Sequence, residues 1–68
     1  MKIKRHAFKR MINRFSNAFD VIREATDAKL IGTFRTYDEQ RGTVSYLFND
    51  KIFIYNVQRD TLITVYRK

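Results

Sequence analysis

The spacing of apolar residues changes from a helical period to a strand period at about residue 30, and this change constrains the fold more than any other feature. Before it, apolar side chains recur every three or four positions, which is typical of helices that bury one face. After it, β-branched and aromatic residues dominate with a period of two, which is typical of strands. The sequence therefore predicts helices at about residues 4–15 and 17–28, and strands at about 30–37, 43–48, 52–57 and 61–67.

The connections between the predicted strands are short. They are the DEQRG segment, a two-residue turn at Asn49-Asp50 and a second turn at Arg59-Asp60. Because tight links force neighbouring strands to run antiparallel, we expect a meander. The predicted fold class is α+β, in which two N-terminal helices pack on a four-stranded antiparallel sheet. A chain of 68 residues predicts a single domain, residues 1–68.

Each predicted helix has one apolar face. The first should bury Ala7, Phe8, Met11, Ile12 and Phe15. The second should begin at Ser16 as N-cap and bury Ala18, Val21, Ile22 and Ala25, with Phe19 at the flank. Its exposed side carries the acidic row Asp20, Glu24 and Asp27, which we interpret as a solubilising surface.

The two predicted turns also assign the faces of the sheet. The expected cross-strand pairs are Phe48–Lys51, Tyr46–Phe53, Tyr55–Thr64 and Phe53–Tyr66. One face then carries the aliphatic residues Leu47, Ile52, Ile54, Ile63 and Val65, and we expect the helices to cover it. The other face carries Val44, Tyr46, Phe48, Phe53, Tyr55, Thr64 and Tyr66. A single bulge would reverse part of this assignment.

Composition narrows the classes of protein further. The chain has no cysteine, and its single histidine and scattered carboxylates match no zinc or calcium spacing, so we expect neither a metal nor another cofactor. No stretch approaches the roughly 20 apolar residues of a membrane span, and no signal peptide is recognisable, which predicts a cytoplasmic protein in a bacterium or a phage-infected cell. Domains this small often gain burial by dimerising, so a homodimer is an open alternative.

The basic residues are concentrated at one end of the chain. The first fourteen residues hold six Lys or Arg, one His and no acid, whereas the remaining fifty-four hold eight basic and seven acidic residues. Since like charges are crowded together, the natural partner is a polyanion or an acidic protein surface.

His6, Arg10 and Arg14 follow at intervals of four and therefore form one row along the first helix. The arginines would bind phosphates, and His6 is the one side chain expected to titrate near neutrality. The further contact residues predicted at this end are Lys2, Lys4, Arg5 and Lys9. The alternative is a solvated basic face with no ligand.

Three tyrosines of the predicted sheet, Tyr46, Tyr55 and Tyr66, form a second candidate surface. If exposed, their rings would be interleaved with Lys51 and Arg67 and could stack on unpaired bases. Alternatively, these rings belong to the hydrophobic core, which is the favoured interpretation for Phe48 and Phe53.

The two ends of the chain resemble a small family of uncharacterised bacterial and phage domains. The similarity lies in the opening His6-Ala7, Arg10-Met11 and Arg14, and in the closing strand with Thr64, Val65 and Tyr66. That family is grouped with the barnase–EndoU–colicin–RelE-like fold, whose active members are ribonuclease toxins. The resemblance implies that His6, Arg10, Thr64 and Tyr66 line an RNA-cleaving site. It also implies metal-free chemistry, in which a base assists attack by the 2′-hydroxyl and arginine stabilises the developing charge.

Three hypotheses on function follow. The first is an RNA-directed protein of RelE-like architecture, acting either as a ribonuclease or as a non-catalytic RNA binder. The second is a phage or mobile-element accessory protein that inhibits a host protein through its basic helix. The third, a DNA-binding regulator, ranks lowest because the chain lacks a helix-turn-helix pattern.

Overall fold

Two helices and five strands make up most of the chain in a computed structural model, which describes residues 1–68. The elements are β1 (Lys2–Ile3), α1 (Arg5–Arg14), α2 (Ala18–Ile31), β2 (Thr33–Asp38), β3 (Thr43–Phe48), β4 (Lys51–Asn56) and β5 (Thr61–Arg67). The strands form one sheet in the order β1-β5-β4-β3-β2. The α+β class is confirmed, whereas the prediction of four antiparallel strands is wrong because the sheet is mixed and has five.

The additional strand comes from the basic N-terminal segment. Lys2 and Ile3 pair in parallel with Thr61 and Leu62. The backbone amides of Lys2 and Lys4 donate to the carbonyl oxygens of Asp60 and Leu62, each at 3.0 Å. Two residues are too few to show a strand period, so the sequence pattern at this end predicted only the first helix. That helix begins at Arg5 and not at residue 4.

The second helix is longer than its sequence pattern suggests. It continues through Leu30 and Ile31, so the strand predicted from residue 30 begins only at Thr33. Asn17 caps it in place of the predicted Ser16, since its Oδ1 accepts from the amides of Phe19 (3.0 Å) and Asp20 (3.3 Å). The helix ends at Gly32, where an added Cβ would lie 2.5 Å from the carbonyl oxygen of Ala28.

The two hairpins differ in how well their sequences predict them. The β3–β4 register is as expected, with Asn49 and Asp50 in the left-handed region at φ 50° and 61°. The predicted β4–β5 register is wrong. Residues 57–60 form a four-residue connection, and a bulge shifts the pairing beyond Ile54. Phe53 therefore pairs with Val65 and not with Tyr66.

The predicted assignment of the sheet faces is reversed for β3 and β4, whereas on β5 Val65 lies under the helices and Thr64 and Tyr66 lie on the uncovered face, as expected. On the covered face, the core residues Phe53, Tyr55, Leu62 and Val65 pack with Ala7, Met11, Val21, Ala25 and Ala28 of the helices and with Phe15, which follows α1. Partly buried Val44, Tyr46 and Phe48 pack against the same core. Because three of these six facing residues are alanine, large rings on the sheet are needed to fill the space between the layers. The aliphatic face is left without helices.

The helices also bury fewer residues than expected. Phe8 and Ile12 of α1 are 45% and 56% exposed, and Phe19 of α2 is 82% exposed, so the predicted apolar faces are too wide. Since α1 packs mainly on β5 and α2 mainly on β3, each helix covers a narrow strip of the sheet. The uncovered face and the uncovered end at β2 remain available for other contacts.

Candidate nucleic-acid interface

Tyr66 lies between two surface cavities at the end of β5. Its neighbours in the first cavity are Arg14, Phe15 and Arg67. The second cavity runs over the sheet face that the helices leave uncovered. The Tyr66 side chain is partly exposed, at 38%, so its ring is accessible from both.

The first cavity joins two arginines to this ring. The Arg67 guanidinium lies 4.8 Å from the centre of the Phe15 ring, and its Nη2 donates to the carbonyl oxygen of Arg14 at 3.3 Å. These contacts hold Arg67 in place while most of its N–H groups stay free. The Arg14 side chain is exposed and forms no hydrogen bond or ion pair. No carboxylate lines this cavity, although Arg67 also lines a neighbouring cavity that contains Asp20, Glu24 and Asp27.

The second cavity is a groove with hydroxyl-bearing walls. We call it the Tyr66 groove and define it by Thr36, Ser45, Ile54, Ile63, Thr64 and Tyr66. The hydroxyls of Thr36 and Ser45 form a hydrogen bond to each other at 2.9 Å. The Thr64 Oγ1 is buried and has no hydrogen-bond partner. A buried hydroxyl without a partner carries an energetic cost.

The far end of the Tyr66 groove carries a charged pair. Arg41 and Asp38 line it, with 3.8 Å between Arg41 Nε and Asp38 Oδ2. Sequence reasoning missed Thr36, Ser45 and Arg41, because it placed the helices on this face of the sheet. The alternation along β3 places Ser45 and Leu47 on the same face, but it does not show that this face points away from the helices.

The row His6, Arg10 and Arg14 lies within α1, which confirms that these residues share one helix. Arg14 shares a cavity with Tyr66, whereas His6 and Arg10 line neither of the two cavities. His6 is exposed, Arg10 is half-buried, and neither side chain forms a hydrogen bond or ion pair. Of the four residues predicted to act in cleavage, only Thr64 and Tyr66 lie together in one cavity.

The other basic residues of the N-terminal segment surround this row. Lys2, Lys4, Arg5 and Lys9 are all exposed, and their side chains form no ion pair. The first two belong to the β1 segment and its junction with α1, so their backbone is held by β5. The segment is therefore an ordered cationic surface and not a flexible tail.

The other two tyrosines predicted to contact a partner lie on the helix-covered side. Tyr55 is 1% exposed, and its hydroxyl donates to the carbonyl oxygen of Ala25, so its ring cannot stack on a ligand. Burial, with a smaller contribution from nearby Tyr46, raises the pKa of Tyr55 well above its ordinary value. Tyr46 is half-buried and packs edge-to-face on Tyr55 and Phe34, with ring centres 6.0 Å apart in each case. The exposed aromatic surface predicted around Tyr46 and Tyr55 is therefore wrong.

The acidic row of α2 is partly engaged in structural contacts. Glu24 Oε1 lies 3.1 Å from Lys51 Nζ, and Glu24 Oε2 accepts from Asn49 Nδ2 at 2.8 Å. These bonds attach α2 to the β3–β4 turn, which is more than the solubilising role expected. Elsewhere, no group of three His, Cys, Asp or Glu residues is arranged to hold a metal ion.

The arrangement can bind an anion and a planar ring together. Arg14 and Arg67 provide forked donors, and the ring between the cavities provides a stacking surface.

No protein-family model matches this chain, and no curated protein or solved structure is significantly similar to it. The resemblance to the RelE-like family therefore stays a prediction. None of the helices is both long enough and apolar enough to cross a membrane.

Proposed function

We propose that this protein binds single-stranded RNA at the end of β5, without cleaving it. An unpaired base stacks on Tyr66, and the adjacent phosphates contact Arg14 and Arg67. The observation that carries the proposal is the accessible Tyr66 ring beside two arginines in a cavity that no carboxylate lines. Stacking with cationic backbone contacts is how proteins hold single strands without strong sequence preference.

The surrounding charge supports a polyanionic ligand. The chain has a formal net charge of +7, and α1 extends from Arg14 back through Arg10 and His6. A strand that leaves the Arg14–Tyr66–Arg67 cavity along α1 would meet these side chains in turn. Long-range attraction of this kind raises the association rate and makes binding sensitive to salt.

The Tyr66 groove supports RNA over DNA. Its hydroxyls can donate to and accept from a ribose 2′-hydroxyl, which DNA lacks. Thr36 is the specific candidate, because it is exposed at the wall of the groove, whereas Thr64 Oγ1 is buried. We expect RNA to bind more tightly than DNA of the same sequence.

Fluorescence anisotropy with a labelled single-stranded RNA tests the proposal. Because a stacked base contributes about 1–3 kcal/mol, Tyr66→Ala should weaken binding by about 5-fold to 150-fold. Tyr66→Phe should retain most of the affinity, since the ring is kept. The matched control is Phe19→Ala, which removes an aromatic ring that is 82% exposed on α2. Equal binding by wild type and Tyr66→Ala would refute the proposed site.

The arginines are tested by the salt dependence of binding. Arg14→Ala should reduce the slope of log affinity against log salt by about 0.7, the value for one lost phosphate contact on a single strand. Arg23→Ala removes an exposed arginine of α2 and should leave the slope unchanged. Intact RNA after long incubation is expected, and cleavage that His6→Ala abolishes would instead support the ribonuclease hypothesis.

A second candidate is an acidic protein partner that contacts α1. Exposed Phe8 and Ile12 favour it, because apolar side chains beside Lys9 and Arg5 suit a protein surface better than a phosphate backbone. A pull-down with and without nuclease treatment separates the two. A stoichiometric acidic protein that is retained after nuclease treatment, and lost with Ile12→Asp, would favour this candidate.

A further inference from the structure

The outer strand β2 is exposed along its whole length. All six of its residues are exposed, and β3 is its only neighbour in the sheet. On the side where the helices lie, Phe34 and Tyr37 are each 56% exposed. They border a groove that is also lined by Val44, Tyr46 and Val57. An unprotected strand edge beside an apolar groove is a site for another strand.

The charges of this segment are ordered in a way that suits self-association. Residues 33–41 hold two basic and two acidic residues, so the segment is neutral within a chain of net charge +7. Arg35 lies near its start, Asp38 is the last residue of β2, and Glu39 and Arg41 lie in the turn that follows. In an antiparallel pair of identical strands, the start of each strand meets the end of the other. With the two-fold axis at Tyr37, Arg35 of each copy lies opposite Glu39 of the other, which produces two attractive contacts.

We propose that a second copy of this chain docks antiparallel along β2, so that two sheets become one continuous sheet about a two-fold axis. The exposed Tyr37 rings of the two copies then lie opposite each other, and each Phe34 ring lies further along the same side of the joined strands. A nucleic acid is disfavoured at this edge because the segment has no net positive charge. The interface is isologous, as in most homodimers.

The geometry also sets the expected strength. Since a buried Phe or Tyr side chain covers about 150–250 Å², the half-exposed Phe34 and Tyr37 each offer roughly 100 Å². The bulge between Phe34 and Thr36 limits how far the new ladder can extend. Protein–protein interfaces of this size are among the weakest and most reversible. The dimer lies at the β2 end of the Tyr66 groove and leaves Arg14, Tyr66 and Arg67 at the opposite end uncovered, so it does not depend on the proposed RNA binding.

A charge-reversal series tests the proposal by sedimentation equilibrium of the full chain without RNA. Wild type should show a concentration-dependent dimer. Arg35→Glu and Glu39→Arg should each raise the dissociation constant by more than about tenfold, because each creates two like-charge contacts. The double variant R35E/E39R should restore the dimer. Arg23→Glu is the matched control, since Arg23 is an exposed arginine of α2, and it should leave the dimer intact.

Several results would overturn the proposal. The first is a wild type that has a mass of 8.2 kDa at every concentration. The second is a dimer that both single variants retain, which would place the interface elsewhere. The third is a double variant that stays monomeric while its circular dichroism spectrum matches that of wild type.

Discussion

Replacing Tyr55 by phenylalanine removes a single buried hydrogen bond from the centre of the core. The Tyr55 hydroxyl donates to the carbonyl oxygen of Ala25, and the residue is 1% exposed. Because the ring is kept and no cavity forms, the free energy of unfolding should fall by about 0.5–1.5 kcal/mol at pH 7. In a domain of this size, a loss of about 1 kcal/mol corresponds to a decrease in Tm of roughly 4–8 °C. Thermal and urea unfolding followed by circular dichroism would measure both values.

The pH dependence of this difference makes the prediction more specific. Burial raises the pKa of Tyr55 in the folded protein, so above about pH 10 the unfolded chain loses this proton while the folded chain keeps it. The stabilisation is therefore complete below pH 10 and is lost at about 1.4 kcal/mol per pH unit above it, in wild type only. At about pH 11 the variant should be as stable as wild type. A stability difference that stays constant from neutral to alkaline pH would refute the buried position of this hydroxyl.

Two further perturbations test the helix cap and an ion pair. Asn17→Ala should lower the free energy of unfolding by about 1 kcal/mol, because two helix amides lose their acceptor. Ser16→Ala should have almost no effect. Equal effects of the two substitutions in urea unfolding would contradict the assigned cap. The hydrogen bond and charge of Lys29 lower the pKa of Asp60 in the folded protein. Asp60 therefore stabilises the fold at pH values above its unfolded pKa. This stabilisation is lost as the pH falls through its folded pKa. Asp60→Asn, which tolerates the φ of 48° at this position, should therefore be less stable than wild type at pH 7 and equally stable at strongly acidic pH.

The local patterns of the sequence predict most of the secondary structure. The helical period identifies both helices, and the strand period identifies β3 and β5 with the correct bounds. The β3–β4 register follows from Asn49-Asp50, because a two-residue loop fixes which residues of the two strands lie opposite each other. These features depend on neighbours in sequence, which is why they can be derived without a structure.

The sheet faces could not be assigned in the same way. Both faces of β3, β4 and β5 are rich in apolar side chains, so alternation alone does not say which one the helices cover. The deciding property is volume. The alanine positions Ala7, Ala25 and Ala28 require large partners such as Phe53 and Tyr55. The β5 bulge and the two-residue β1 strand depend on distant contacts and leave no periodic signal.

The candidate site was predictable only in part. Tyr66 and Arg14 were identified from the sequence, and they share one cavity. Their closeness depends on α1 lying along β5, a contact between the two ends of the chain. Tyr55 was mistaken for a contact residue because an exposed and a buried tyrosine look identical in a strand pattern.

Mapping RNA contacts residue by residue tests the central proposal most directly. A titration of isotope-labelled protein with single-stranded RNA, followed by amide chemical shifts in NMR spectra, would locate the bound strand. The proposal predicts that the largest changes cluster at Arg14, Thr64, Tyr66 and Arg67, continue along α1, and are absent from Tyr66→Ala. Changes confined to the β2 edge, or no changes at low salt, would contradict it.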